Sequence, residues 1–137
     1  MSQKIFLNLP VADLERSKTF YQAIGFSLNL GYADDTACCV VISEHIHLMI
    51  LTHPRFEGFA TLPRADTTKC TAALIALSQP DRAAVDTITD SAIAAGRTEP
   101  KSFDDHGFMY SRTFQDPDGN VFEPFWMNPA AVPEHST

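Results

Sequence analysis

Apolar and polar positions alternate from residue 5 onward. Ile5, Leu7 and Leu9 fall on one side and Phe6 and Asn8 on the other. That period of two predicts a β-strand over residues 5–11. Pro10 has no N–H for a ladder bond, which puts it at the strand's end. The period then changes. Asp13 is a good N-cap type, and Leu14, Ser17, Phe20, Tyr21 and Ile24 follow at helical spacing, with Gly25 as the stop. Three short apolar runs come next, at about 26–31, 36–42 and 46–52. Asp34-Asp35 and Ser43-Glu44 punctuate them as hairpin turns would. Residues 53–66 break the pattern with Pro54, Gly58 and Pro63, and predict a connecting loop with room for a short helical turn.

The same order then recurs. A strand at 71–78 carries Ala73, Ile75 and Leu77 on one face. Ser78, Pro80 and Asp81 start a helix whose stripe is Val85, Ile88, Ala92 and Ala95, and Gly96 stops it. Strands follow at about 97–101, 108–115 and 120–127. Asp116-Pro117-Asp118-Gly119-Asn120 joins the last two: proline presets one turn dihedral and Gly119 accepts positive φ. The organisation is β-α-β-β-β written twice in one α+β domain. Repeat one covers about 3–52, a connecting loop 53–69, repeat two 70–127 and a tail 128–137. Neither half can bury both its helix and its sheet alone. Pairing the halves through edge strands predicts a curved, mostly antiparallel eight-stranded sheet, with helices outside and a concave pocket inside.

Composition narrows the partners. Hydrophobic residues make up 45% of the 137 and charged residues 20%, a globular balance. The formal charge of −7 repels polyanions, and no basic run appears, so neither nucleic acid nor an anionic membrane is expected. No apolar stretch approaches the ~20 residues of a membrane span. Residues 1–4 lead straight into a strand pattern without an apolar leader region, which predicts no secretion signal. Cys38, Cys39 and Cys70 form neither a disulfide framework nor a C-x-x-C spacing. They read as small buried hydrophobes of a reducing cytoplasm. No base lies near Cys38-Cys39 in sequence, so no thiolate nucleophile is read there.

Two segments carry a resemblance. Leu9-Pro10-Val11-Ala12-Asp13-Leu14-Glu15-Arg16-Ser17-Lys18-Thr19-Phe20-Tyr21, ending in Gly25-Phe26, is similar to the opening motif of the vicinal oxygen chelate superfamily, which includes glyoxalases, bleomycin-resistance proteins and extradiol dioxygenases. Phe114-Gln115-Asp116-Pro117-Asp118-Gly119-Asn120-Val121-Phe122-Glu123 resembles its closing motif. The resemblance covers nearly the whole chain and implies the paired layout read above. It also implies a divalent ion on the concave face, held by side chains from the first and last strands of each half, which would stabilise charge developing on an enolate or alkoxide.

Carried over position by position, the ligand set is incomplete. Glu123 is a proper ligand. Phe6 stands where His is common, Leu74 is its counterpart in the second half, and Met49 stands where Glu is usual. Phenyl and isobutyl groups have no lone pair to donate, and a thioether is soft. Alternation along 46–52 turns His45, His47 and Met49 away from Ile46, Leu48 and Ile50, so His47 is a substitute ligand beside Glu123. A divalent metal is left open on this count, and no other cofactor is expected.

The same reasoning gives the candidate site. Glu123 and His106 are the catalytic candidates, Glu123 as anchor or general base, or else paired with Arg112. Phe6, Asn8, His47, Met49, Leu74, Tyr110, Arg112 and Phe125 are the binding candidates. Phe6, Leu74 and Met49 should share one apolar hollow with Glu123, which suits a partly apolar small molecule better than a chelated diol. The expected protein is a ligand-binding homodimer of the bleomycin-resistance kind. The alternatives are a metal-dependent lyase, isomerase or dioxygenase with altered ligands, close to lactoylglutathione lyases or extradiol enzymes, and a non-catalytic structural or regulatory dimer.

Overall fold

The computed structural model describes residues 2–131. Strand β1 (Ile5–Val11) leads into α1 (Leu14–Ala23). The Arg16 N–H donates to Asp13 Oδ1 at 3.1 Å, which caps the helix, and Gly25 leaves it at φ +103°. Strands β2 (Ser27–Ala33), β3 (Ala37–Val41) and β4 (Ile46–Thr52) complete a four-stranded sheet of order β1-β4-β3-β2. β1 runs parallel to β4; the other neighbours are antiparallel. The connecting segment holds a short helix, α2 (His53–Phe59).

The second half repeats the plan. It contains β5 (Leu74–Ser78) and α3 (Arg82–Ala94), the helix capped by Asp81 through the Ala84 N–H at 2.8 Å and left at Gly96. Then come β6 (Asp104–Asp105), β7 (Met109–Ser111), β8 (Phe114–Gln115) and β9 (Val121–Met127). Two expectations change here. The strand expected at 97–101 is absent. Pro100 has no N–H to pair, and the Glu99 carboxylate is drawn to Arg112, so the chain reaches the sheet only at β6. The strand expected over 108–115 is split at Arg112-Thr113. Its register places those residues opposite Pro124 and Glu123, and Pro124 cannot donate to the ladder. Of the expected tail, Pro129–Ala131 form a 3-10 turn and residues 132–137 lie outside the described residues.

The α+β class and the doubled β-α-β-β-β order stand, but the strands do not join into one eight-stranded sheet. They form a four-stranded and a five-stranded sheet, and β1 and β5 each have a neighbour on one side only. The halves meet through their helix sides instead. Leu9, Val11, Val40, Leu48 and Ile50 of the first sheet share one core with Leu77, Phe114 and Phe122 of the second. Phe20 and Tyr21 of α1 fill the space between, at ring distances of 6.2 Å from Phe114 and 6.0 Å from Phe122. Burying each such side chain contributes about 1.5–3 kcal/mol, which makes this layer the main reason the halves adhere.

The β8–β9 turn locks that layer. Asp116 and Asp118 are buried, so their carboxylates need partners. Asp116 accepts from the Tyr21 hydroxyl at 2.6 Å, the Asn120 amide at 2.9 Å and the backbone N–H groups of Asp118 and Asn120. Burial pushes the Asp116 carboxyl up, while those bonds pull it down. Asp118 accepts from the Ala12 N–H at 2.8 Å and, more loosely, from Ser17 and Arg16.

Candidate functional site

Because Leu7, Leu9, Leu48 and Ile50 face the core, alternation turns Phe6, Asn8, His47 and Met49 to the outer face of the first sheet. Phe6 and His47 are register partners on β1 and β4, and their rings stack at 4.5 Å with planes 11° apart. Together with Met49, Cys39, Asn29, Tyr32 and Lys4 they line a hollow of about 340 Å³. Tyr32 reaches it through a bulge: Asn29 pairs with Cys39 but Ala33 pairs with Cys38, which leaves residues 30–32 outside the ladder. A second hollow of about 410 Å³ continues along the same face, where Asn8 meets Leu51, Phe56, Phe59 and Ala60. The face is therefore mostly apolar, with Asn29, Asn8 and Lys4 as polar handles.

Cys39 is a lining residue of this hollow that sequence reasoning missed. The β3–β4 hairpin folds about Glu44, so Cys39 and Met49 are register partners and His47 lies one step along on the same face. Cys39 Sγ stands 3.9 Å from His47 Nδ1, and His47 Nε2 stands 3.2 Å from the Glu44 carbonyl oxygen. A carbonyl only accepts, so Nε2 is the donor, and in the neutral ring Nδ1 presents a lone pair to the thiol. Burial pushes the Cys39 thiol up, so at rest it keeps its proton. Counting the hairpin register from Ser43-Glu44 would have revealed the pair.

The other expected site residues go elsewhere. Leu74, Glu123 and Phe125 occupy the outer face of the second sheet, where Ala76 and Ser78 are the register partners of Glu123 and Phe125. Leu74 is 61% exposed and Phe6 48% exposed. The hollow around His47 is lined by the first half alone, so the common hollow expected for Phe6, Met49, Leu74 and Glu123 is not formed within the chain. The physical reason is the join: the halves adhere through their helix sides, and no ladder carries β1 into β5. Tyr110 and Arg112 do share a face, as expected, but it is the helix face. The Tyr110 hydroxyl donates to Asp86 at 2.6 Å, and Arg112 donates to Asp86, Asp90 and Glu99 at 2.9–3.0 Å. Arg112 therefore does not pair with Glu123. His106 lies on an exposed turn beside Phe108 and does not line the hollow around His47.

The divalent ion implied by the opening and closing motifs does not fit these residues. Phe6 and Leu74 offer no donor, Met49 a soft one, and Glu123 belongs to the other sheet. His47 and Glu123, expected as a half site, are not brought together. Among the described residues, no three His, Cys, Asp or Glu side chains converge on a point suited to a metal. None of the described helices is long and apolar enough to cross a membrane.

Comparison with known proteins agrees with this fold. Residues 3–43 match the family described as bleomycin resistance protein-like N-terminal. No curated protein sequence matches the chain. Among solved structures, a hypothetical protein of S. aureus, SA1046, superposes with a TM-score of 0.76 at 24% identity, over 92% of this chain and 94% of that one. A glyoxalase/bleomycin resistance protein/dioxygenase family enzyme from Burkholderia phytofirmans PsJN gives 0.74 at 20% identity, over 92% and 99%. TnmS3, an antibiotic binding protein from Streptomyces sp. CB03234, gives 0.65 at 22% identity, over 93% and 97%. At these identities the superpositions speak for the fold and leave the chemistry open. Residues 3–43 thus match a bleomycin resistance protein-like N-terminal family, and the fold over most of the chain is that of the glyoxalase/bleomycin resistance/dioxygenase structures.

Proposed function

We propose that the chain binds a compact, partly apolar small molecule on the outer face of its first sheet, without the divalent ion of its metal-dependent relatives. The lining carries this reading. A stacked Phe6–His47 pair, Met49 and Tyr32 offer flat and soft surface, and Asn29 and Lys4 supply the few polar contacts that orient a ligand. The likeness to an antibiotic binding protein is in keeping with sequestration rather than turnover. The alternative, a metal-dependent lyase, isomerase or dioxygenase, needs donors where Phe6 and Leu74 stand. We also infer a homodimer, since two edge strands and the exposed Phe6 and Leu74 are left uncovered in one copy.

A thermal-shift screen of planar aromatic and polycyclic compounds, followed by calorimetry, tests the binding reading. At least one such compound should bind, and Phe6→Ala and Tyr32→Ala should each weaken it about tenfold, since each removes one stacking surface of about 1.4 kcal/mol. Unchanged affinity in both variants sinks the proposal. Light scattering decides the dimer separately.

A further inference from the structure

The outer face of the first sheet carries, besides its flat apolar surface, three donor atoms whose lone pairs the ligand reading leaves unused. Cys39, His47 and Met49 lie on two adjacent strands and open into one hollow. From this juxtaposition we propose a binding site for a soft monovalent metal ion, copper(I) in chemical class, held by the Cys39 thiolate, the His47 Nδ1 lone pair and the Met49 thioether.

The geometry comes first. An ion bonded to both Cys39 and His47, at about 2.3 Å from sulfur and about 2.0 Å from nitrogen, needs those atoms no more than about 4.3 Å apart. They stand 3.9 Å apart, which leaves room for one ion at a wide angle between them. His47 is already oriented for this. Its Nε2–H is held by the Glu44 carbonyl at 3.2 Å and its ring is braced against Phe6, so Nδ1 is aimed without further ordering. Met49 is the direct cross-strand partner of Cys39, on the same face.

Charge and softness then select the ion. Thiolate and thioether sulfur favour copper(I), whereas hard ions want the carboxylates that this lining lacks. The lining already holds one cation, Lys4. A divalent ion with one thiolate would leave a net positive charge in an apolar hollow, which is costly. A monovalent ion with one thiolate is neutral. Binding is a simple exchange: the S–H bond breaks, the metal–sulfur bond forms, and the thiol proton passes to water, with no change of oxidation state. Cys38 cannot substitute, because alternation turns it into the core on the opposite face of β3. The inference is independent of the ligand reading, since it needs only three side chains and no organic molecule.

The exposed Cys70 would bind soft ions on its own, so the test is made on the full chain carrying Cys70→Ser. Anaerobic titration with copper(I) against a chromogenic copper(I) chelator should show one equivalent retained. Adding Cys39→Ser should abolish it, His47→Gln should weaken it by at least about tenfold, and Cys38→Ser should leave it intact. Manganese(II) should not be retained. A readout without mutation of the hollow guards against misfolded variants: one equivalent of silver(I) should shift the His47 ring resonances. Copper(I) held as tightly after Cys39→Ser, or His47 resonances unmoved by silver(I), overturns the site.

Discussion

The Tyr21 hydroxyl donates to Asp116 Oδ2 at 2.6 Å across 95 positions of the chain. One group belongs to the opening motif and the other to the closing motif, so the two most recognisable segments are joined physically as well as by resemblance. Both are buried, and the bond also holds the Tyr21 ring against Phe122. Tyr21→Phe keeps the ring and removes only the donor. Asp116 then keeps its bonds to Asn120 and to two backbone N–H groups, so the loss should be that of one hydrogen bond to a charged group, about 1.5–3 kcal/mol. The urea midpoint should fall with an unchanged slope, and ligand affinity should stay the same. An unaltered midpoint would mean that the bond contributes nothing to joining the halves.

Gly119 and Gly25 separate two costs of replacing a glycine. Both have positive φ, +86° and +103°, which a side chain resists by about 1–2 kcal/mol. A Cβ on Gly25 meets open space. One on Gly119 would overlap the Thr67 backbone carbonyl, in the segment that packs over the turn. Gly25→Ala should therefore cost only the dihedral strain, and Gly119→Ala distinctly more, because the overlapping atom is backbone and the turn also positions Asp118. Paired denaturation curves check the order. Equal losses contradict the close approach.

Arg112 is the hub of the second half's helix face. It donates to Asp86, Asp90 and Glu99 while itself mostly buried, and these three partners raise its affinity for its proton. Arg112→Met fills much of the same volume and leaves three carboxylates without their cation. All three partners are partly exposed, so the loss should be about 1–2 kcal/mol rather than the full cost of a buried pair, and smaller in high salt. The variant should keep its affinity for any ligand of the first sheet. A loss of binding without loss of stability would return Arg112 to the site.

Much of this structure was legible in the residues, and the failures have identifiable causes. Asp13, Gly25, Asp81 and Gly96 bracket the two long helices as their capping chemistry predicts, because caps are local. The core face of each strand was also readable, since a period of two determines which side Leu48 and Ile50 take once one side is known to be buried. What alternation cannot say is which faces of two different sheets look at one another. Placing Glu123 and Leu74 in Phe6's hollow needs that missing information, and the join through Phe20, Tyr21, Phe114 and Phe122 turns them away from it within the chain. Tyr110 and Arg112 illustrate a second limit. Polar residues on a strand suggest an open face, but here Asp86 and Asp90 of α3 make the helix side polar enough to receive them. Cys39 shows a third: its base, His47, is near only after the hairpin register is counted.

The acid limb of stability follows from Asp105. Arg82 donates to both of its oxygens at 2.9 Å, and the Gly107 N–H adds a third bond, which together hold the carboxyl down at about 2 against an ordinary 3.8. The folded state thus releases this proton more readily than the unfolded chain does. Its contribution is fully present above the ordinary value and is lost as pH falls from there towards 2. Asp86, lowered first by the Tyr110 hydroxyl and then by Arg112, acts in the same direction. Asp116 acts oppositely: burial raises it, so the folded state takes up that proton earlier and gains stability from it as pH falls. Carbon-detected carboxyl titration should place Asp105 near 2 and Asp116 above the ordinary value. Arg82→Gln should move Asp105 back towards 3.8 and flatten the acid limb, while leaving Asp116 where it was. An Asp105 that titrates at its ordinary value in the parent chain would show that the forked pair with Arg82 is not held in solution.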